Sequence, residues 1–175
     1  MWGVQQHRVS DLQDALIMED LDRFKALLNQ GANIHQRCMF GFTLLHMAVG
    51  RQEFGVEFTM ELLDRGADIS ARDERQKTPL HHACINGNME LVMALVDGGA
   101  DVDAEDDNQR TPLLFACVHG RNEVALALIS RGADVHATEG AVDEEEWDED
   151  EDEDARPREG TPAHYASMRG LIEVV

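Results

Sequence analysis

His81, His82 and Cys84 lie within four residues of one another, and imidazole with thiolate is a donor set that zinc accepts. Eleven carboxylates fill the twelve positions Asp143–Asp154, interrupted only by Trp147. Carboxylates at that density offer three chemistries: acid–base catalysis, calcium capture, or attraction of cations. Acid–base work needs a pocket that drives the pKa values of two carboxyls apart, and a solvated run offers none. Calcium capture of the EF-hand kind needs a glycine turn and an ordered sequence of ligands, both absent here. No GxxxxGK[ST], GxGxxG, HExxH or GxSxG pattern occurs, so no catalytic residue is assigned. The acidic run is read either as a solvated insertion with no specific role or as an electrostatic lure for a basic segment with Trp147 as an apolar anchor, and calcium capture ranks last.

The elements that position these residues repeat. Thr43, Thr78, Thr111 and Thr161 open related segments, TLLHMAVG, TPLHHACING, TPLLFACVHG and TPAHYASMRG, at offsets of 35, 33 and 50 residues. The first interval carries two extra residues around Gln52–Gly55, and the last carries 17 that include the acidic run. A threonine hydroxyl can cap a helix, and proline at its first position loses no hydrogen bond. Short helices are thus expected at Pro79–Asn86 and Pro112–His119. Second helices follow at Met89–Asp97 and Asn122–Arg131, with Leu91, Val92, Leu95, Val124, Leu128 and Ile129 inward. Gly31, Gly66, Gly99 and Gly132 stand where a helix ends in a left-handed residue. A single pair has too little apolar surface to fold alone, so the pairs must stack.

TPLHHA (Thr78–Ala83) together with GGAD (Gly98–Asp101) resembles the ankyrin repeat. The resemblance covers about residues 11–138 and 161–175. It implies an all-α solenoid of stacked helix-turn-helix units with projecting turn tips, a concave face lined by first helices, and a binding role without enzymatic activity. The chain divides into an extension (1–10), a capping repeat (11–42), repeats at 43–77, 78–110 and 111–138, an acidic disordered insertion (139–160) and a partial repeat (161–175). Leu44 replaces the usual proline and Leu114 the usual histidine. The last unit stops inside its second helix, so the chain reads as a piece of a longer array.

In this register Met47, His82, Phe115 and Tyr165 point inward from the first helices and stay exposed as a docking ladder. Arg51, Asn86, His119 and Arg169 lie one turn further on the same face. Arg75 and Asp107 mark the tips of two turns, and the tip Met39-Phe40-Gly41-Phe42 is unusually apolar: either exposed for contact or folded back. The repeat gives His46, His81 and His164 a structural task, in which each hydrogen-bonds its own turn and ties adjacent units together. Cys84 and Cys117 occupy equivalent core positions, leaving Cys38 as the thiol open to solvent.

The net charge is −20, and −9 without the acidic run. Nucleic acid and anionic membrane are disfavoured, because both are bound by neutralising phosphates with Lys and Arg. A protein partner with a Lys/Arg-rich segment is favoured. No apolar run approaches the roughly 18–20 residues that cross a bilayer, no secretory signal opens the chain, and three unpaired cysteines suit an intracellular compartment. No cofactor is expected, and the chain is read as a monomer. The function expected is a protein-interaction scaffold. The alternative is a regulatory or targeting segment of a larger enzyme or signalling protein with its catalytic domain beyond Val175.

Overall fold

The computed structural model describes residues 9–51 and 54–137. Its helices come in pairs: α1 (Val9–Ile17) with α2 (Leu21–Asn29), α3 (Leu44–Val49) with α4 (Gly55–Asp64), α5 (Pro79–Asn86) with α6 (Met89–Asp97), and α7 (Pro112–Val118) with α8 (Asn122–Ser130). No strand is formed among the described residues; Arg37 and Thr43 make one isolated bridge. First helices stack on first helices and second on second, giving two rows, α1-α3-α5-α7 and α2-α4-α6-α8.

The starts follow the sequence. Thr43 and Thr111 accept the N–H of His46 and Leu114 on their hydroxyls at 3.5 and 3.3 Å, and Pro79 and Pro112 begin α5 and α7. Asp20 and Asn88 cap α2 and α6 in the same way, at 2.9 and 3.2 Å. The stops follow too: Gly31, Gly66, Gly99 and Gly132 have φ between 80 and 93°, a region that costs glycine least.

The core is a continuous aliphatic seam between the two rows. Leu45, Leu80 and Leu113 from the first helices meet Leu62, Leu91, Leu95 and Leu128 from the second, all essentially inaccessible. Each such side chain contributes about 1.5–3 kcal/mol. At the N-terminal end Phe24 of α2 meets Phe58 of α4 edge-on at 4.9 Å, which fastens the first pair to the stack.

The turns between pairs are joined to one another across the repeat direction. Arg37 Nη1 donates to Gly41 O in its own turn (2.9 Å) and to Arg72 O in the next (2.7 Å). Arg72 Nη1 repeats the pattern with Gln76 O (3.0 Å) and Glu105 O. Backbone bonds run beside this relay, from Glu74 N to Phe40 O and from Asp107 N to Arg75 O. Glu105 stands in the third turn where a third arginine would be.

Candidate partner-binding groove

The histidine at the third position of α3 and of α5 is locked before it can do anything else. Thr43 N–H donates to His46 Nδ1 (3.2 Å), which fixes the imidazole proton on Nε2, and Nε2 donates to Lys77 O (3.1 Å) in the following turn. His81 does the same between Thr78 N (3.0 Å) and Arg110 O (3.0 Å). Burial lowers both pKa values to about 4, the bonded carbonyls offsetting part of the effect, so both rings are neutral. These are the unit-to-unit ties expected from the sequence. In α7 the position is held by buried Leu114, and no imidazole reaches forward from it.

His82 stays at the surface. Its Nε2 donates to Asp73 Oδ2 (2.9 Å), while Asp73 Oδ1 accepts the N–H groups of Arg75 and Lys77 at 2.9 Å each. Burial opposes the Asp73 charge, but these donors outweigh it and hold the carboxyl below its usual range. His46, Asp73 and His82 bring one ligand-capable atom each within 4.8 Å. Both nitrogens of His46 and both oxygens of Asp73 are already committed, so a metal there would break a unit-to-unit tie. The trio sought in the sequence does not assemble, since Cys84 is fully buried with its thiol pKa raised by burial.

Three clefts join end to end along the first-helix side of the second and third pairs. The outer one, about 320 Å³, is lined by Phe40, Phe42, Asp73, Glu74, Arg75, Lys77 and His82. It shares Phe42 and His82 with a middle cleft of about 270 Å³, which adds His46, Met47, Gly50, Arg51 and Asn86. That cleft shares Gly50, Arg51 and Asn86 with a basal one of about 310 Å³, completed by Val49, Gly87, Asn88 and Arg121. The apolar tip divides its labour. Met39 and Phe40 are 77% and 64% exposed, whereas Phe42 turns inward to stack on His46 (5.5 Å) and to meet His82 edge-on (5.2 Å).

The structure therefore gathers Met47, Arg51, His82 and Asn86, with Arg75 at the outer end. Phe115 departs from the expected ladder. It is only 7% exposed, because Lys77 Nζ (4.5 Å) and the Arg110 guanidinium (4.9 Å) cover its ring, with His81 and His119 against it. Asp107 is exposed on the third turn, outside the clefts. Trp147, Tyr165, Arg169, His164 and the acidic run lie outside the described residues. Cys38 is half-buried, against the Gln13 amide and Met47 Sδ (3.4 Å), rather than open. Sequence reasoning missed the guanidinium relay, whose signal was Arg37 and Arg72 in repeat register.

Within the second, third and fourth pairs, charge is partitioned between first and second helices. Helices α3, α5 and α7 contain no Asp or Glu, while α4, α6 and α8 carry Glu57, Glu61, Asp64, Glu90, Asp97 and Glu123. Among the described residues Arg51, Arg75, Lys77 and Arg121 make no ion pair with a carboxylate. In these three pairs the first helices are the less acidic side of a strongly acidic chain.

A family model for ankyrin repeats, in three copies, matches residues 53–139. Over 60 residues the chain is 40% identical to an ADP-ribosylation factor GTPase-activating protein of Arabidopsis thaliana, a match covering 34% of this chain and 7% of that protein. The chain thus spans a small fraction of that relative's length. No helix among the described residues is long and apolar enough to cross a membrane.

Proposed function

We propose that this chain, which belongs to the ankyrin-repeat family through residues 53–139, is a protein-interaction scaffold that seats its partner in the groove running from Phe40 to Arg121. Ankyrin repeats are non-catalytic interaction modules. The observation that carries the proposal is the continuity of the three clefts through Phe42, His82, Arg51 and Asn86. Met47 and Phe40 supply apolar contact, and Asn86 and the arginines supply hydrogen bonds, the mixture that interfaces favour. Phe115, which carries Lys77 of the outer cleft over its ring, and His119 stacked on it adjoin the groove, and the residues assigned to the last repeat, Tyr165 and Arg169, extend the same register.

A Lys/Arg-rich segment of the partner fits the acidic run and Trp147, not helices α3, α5 and α7, which carry no carboxylate to receive it. The cap at 11–42, the repeats at 43–77, 78–110 and 111–138, an intracellular setting and a single copy complete the reading. Two measurements test it. Proteins retained by the full chain should be lost from Met47→Glu and Asn86→Glu and kept by Leu126→Glu on the outer row. A Lys/Arg-rich peptide should bind with affinity that falls with salt and falls again when Asp143–Asp154 is neutralised. An unchanged retained set in the groove variants would remove the proposal.

The similarity to a GTPase-activating protein favours a second reading, a regulatory or targeting segment of a larger enzyme. An antibody to residues 9–137 should then detect a native protein heavier than 175 residues allow. A native species of that size alone would exclude it.

A further inference from the structure

The groove has cations at both ends and apolar groups between them. Arg75 and Lys77 stand at the outer end with Phe40 beside them, Arg51 and Arg121 at the base, and Phe42 and Met47 lie in the middle. The outer cations are crowded: Lys77 is held below its usual pKa first by burial and then by the positive charge of Arg110, with Arg75 adding to it. Two carboxylates line the groove, both at the outer end. Asp73 is consumed by His82 and two backbone N–H groups, leaving Glu74 as the one opposing charge. An occupant that satisfies this surface has an aromatic side chain with carboxylates on both sides.

The chain itself contains that pattern in Glu144-Glu145-Glu146-Trp147-Asp148-Glu149-Asp150. Extended, seven residues cover about 23 Å. The groove runs the length of the eight-residue α5 plus one turn tip, on the order of 20 Å. Reach is sufficient as well. Ten residues separate Ala137 from Trp147, a span of up to about 35 Å. Two repeats back along the stack, at about 10 Å per packed helix, is about 20 Å.

We infer that the segment Glu144–Asp150 docks intramolecularly in the groove, with Trp147 against Phe42 and Met47 and its flanking carboxylates on Arg75 and Lys77 at one end and Arg51 and Arg121 at the other. The acidic run is then a built-in competitor. It holds the groove until a basic segment draws it off, which couples capture of a Lys/Arg-rich partner to exposure of the docking surface. The inference rests on the groove being a docking surface, but its readout needs no partner, so it can fail while the scaffold reading stands.

The test uses the full chain carrying Trp2→Phe, which leaves Trp147 as the sole indole. Its emission should lie at shorter wavelength than that of a synthetic peptide Glu139–Gly160. It should return to the peptide value in high salt and in an Arg51→Glu/Arg75→Glu variant whose helical circular dichroism is unchanged. Adding the peptide in trans should give binding to a chain with Asp143–Asp154 neutralised, and at least tenfold weaker binding to the unmodified chain. Emission identical to the peptide's and insensitive to salt and to the charge reversals overturns the inference. So does a displaced emission that appears only as chains pair in sedimentation, since the occupant would then come from a second copy. Equal peptide binding to both chains overturns it too, by showing the groove empty.

Discussion

Acidification should weaken this fold between pH 7 and pH 5, and the cause can be worked out from two rings. His46 and His81 are 2% and 0% exposed, and each protonates in the folded chain at about 4. In the unfolded chain both titrate near 6.5. Between these values the unfolded state binds more protons than the folded one, so stability is full above about pH 6.5 and falls as pH drops towards 4. At pH 5 the loss is about 2 kcal/mol per ring, on the order of 4 kcal/mol for both. The window is clean of Asp73, whose lowered pKa places its own contribution below the ordinary carboxylate range. Urea unfolding at pH 7, 6 and 5 reads the effect as a falling midpoint at constant slope. His81→Leu isolates one ring, since Leu114 already fills the equivalent place in α7. It should cost about 1–3 kcal/mol at pH 7, by leaving Arg110 O and Thr78 N–H unpaired, and should remove one proton from the pH dependence. A midpoint that does not move between pH 7 and 5 would show that the rings are not the buried, neutral ties described.

Phe58→Ala should cost about 3–5 kcal/mol in urea unfolding, because it empties a fully buried site and frees the α1–α2 pair at Phe24. Gln76 sits at φ 58°, so Gln76→Gly should stabilise by about 0.5 kcal/mol, the relieved strain exceeding glycine's added unfolded-state freedom; a loss of stability would show that the side chain matters more than the backbone. Arg72→Ala should lower stability by about 1 kcal/mol and speed amide exchange at Glu74 and Asp107, where the turns are joined. A thiol reagent should modify Cys38 in the native chain, slowly because burial raises its pKa, and should reach Cys84 and Cys117 only on unfolding.

Much of the architecture was legible because it repeats. The threonines that open α3, α5 and α7, the helix-ending glycines and the in-phase leucines each recur at 33 to 35 residues, and local chemistry alone fixes where α5 and α6 begin and end. Met47, Arg51, His82 and Asn86 were legible as one face from helical spacing. Phe115 was not, because its cover comes from Lys77 and Arg110, which belong to the turns before α5 and α7 and pack on it only once the stack has formed. The committed state of Asp73 was equally hidden: sequence shows a charged turn, and only coordinates show both its oxygens in use. Net charge misled in the same way. A total of −20 says nothing of where it sits, and α3, α5 and α7 turn out to carry none of it.

Leu114 has one more consequence. Where His46 and His81 each grip a carbonyl of the following turn, Leu114 grips nothing, and Glu105 ends the arginine relay at the same level. Any lengthening of the chain before Thr78 or Thr111 would have to preserve the register of those grips. Lengthening it beyond α8 disturbs neither of these two grips, and the ring-closure entropy of an extra loop grows only logarithmically with length. The 17 surplus residues sit at that joint. Among the described residues, a leucine in place of a histidine thus marks where a first helix lacks the forward grip that His46 and His81 make.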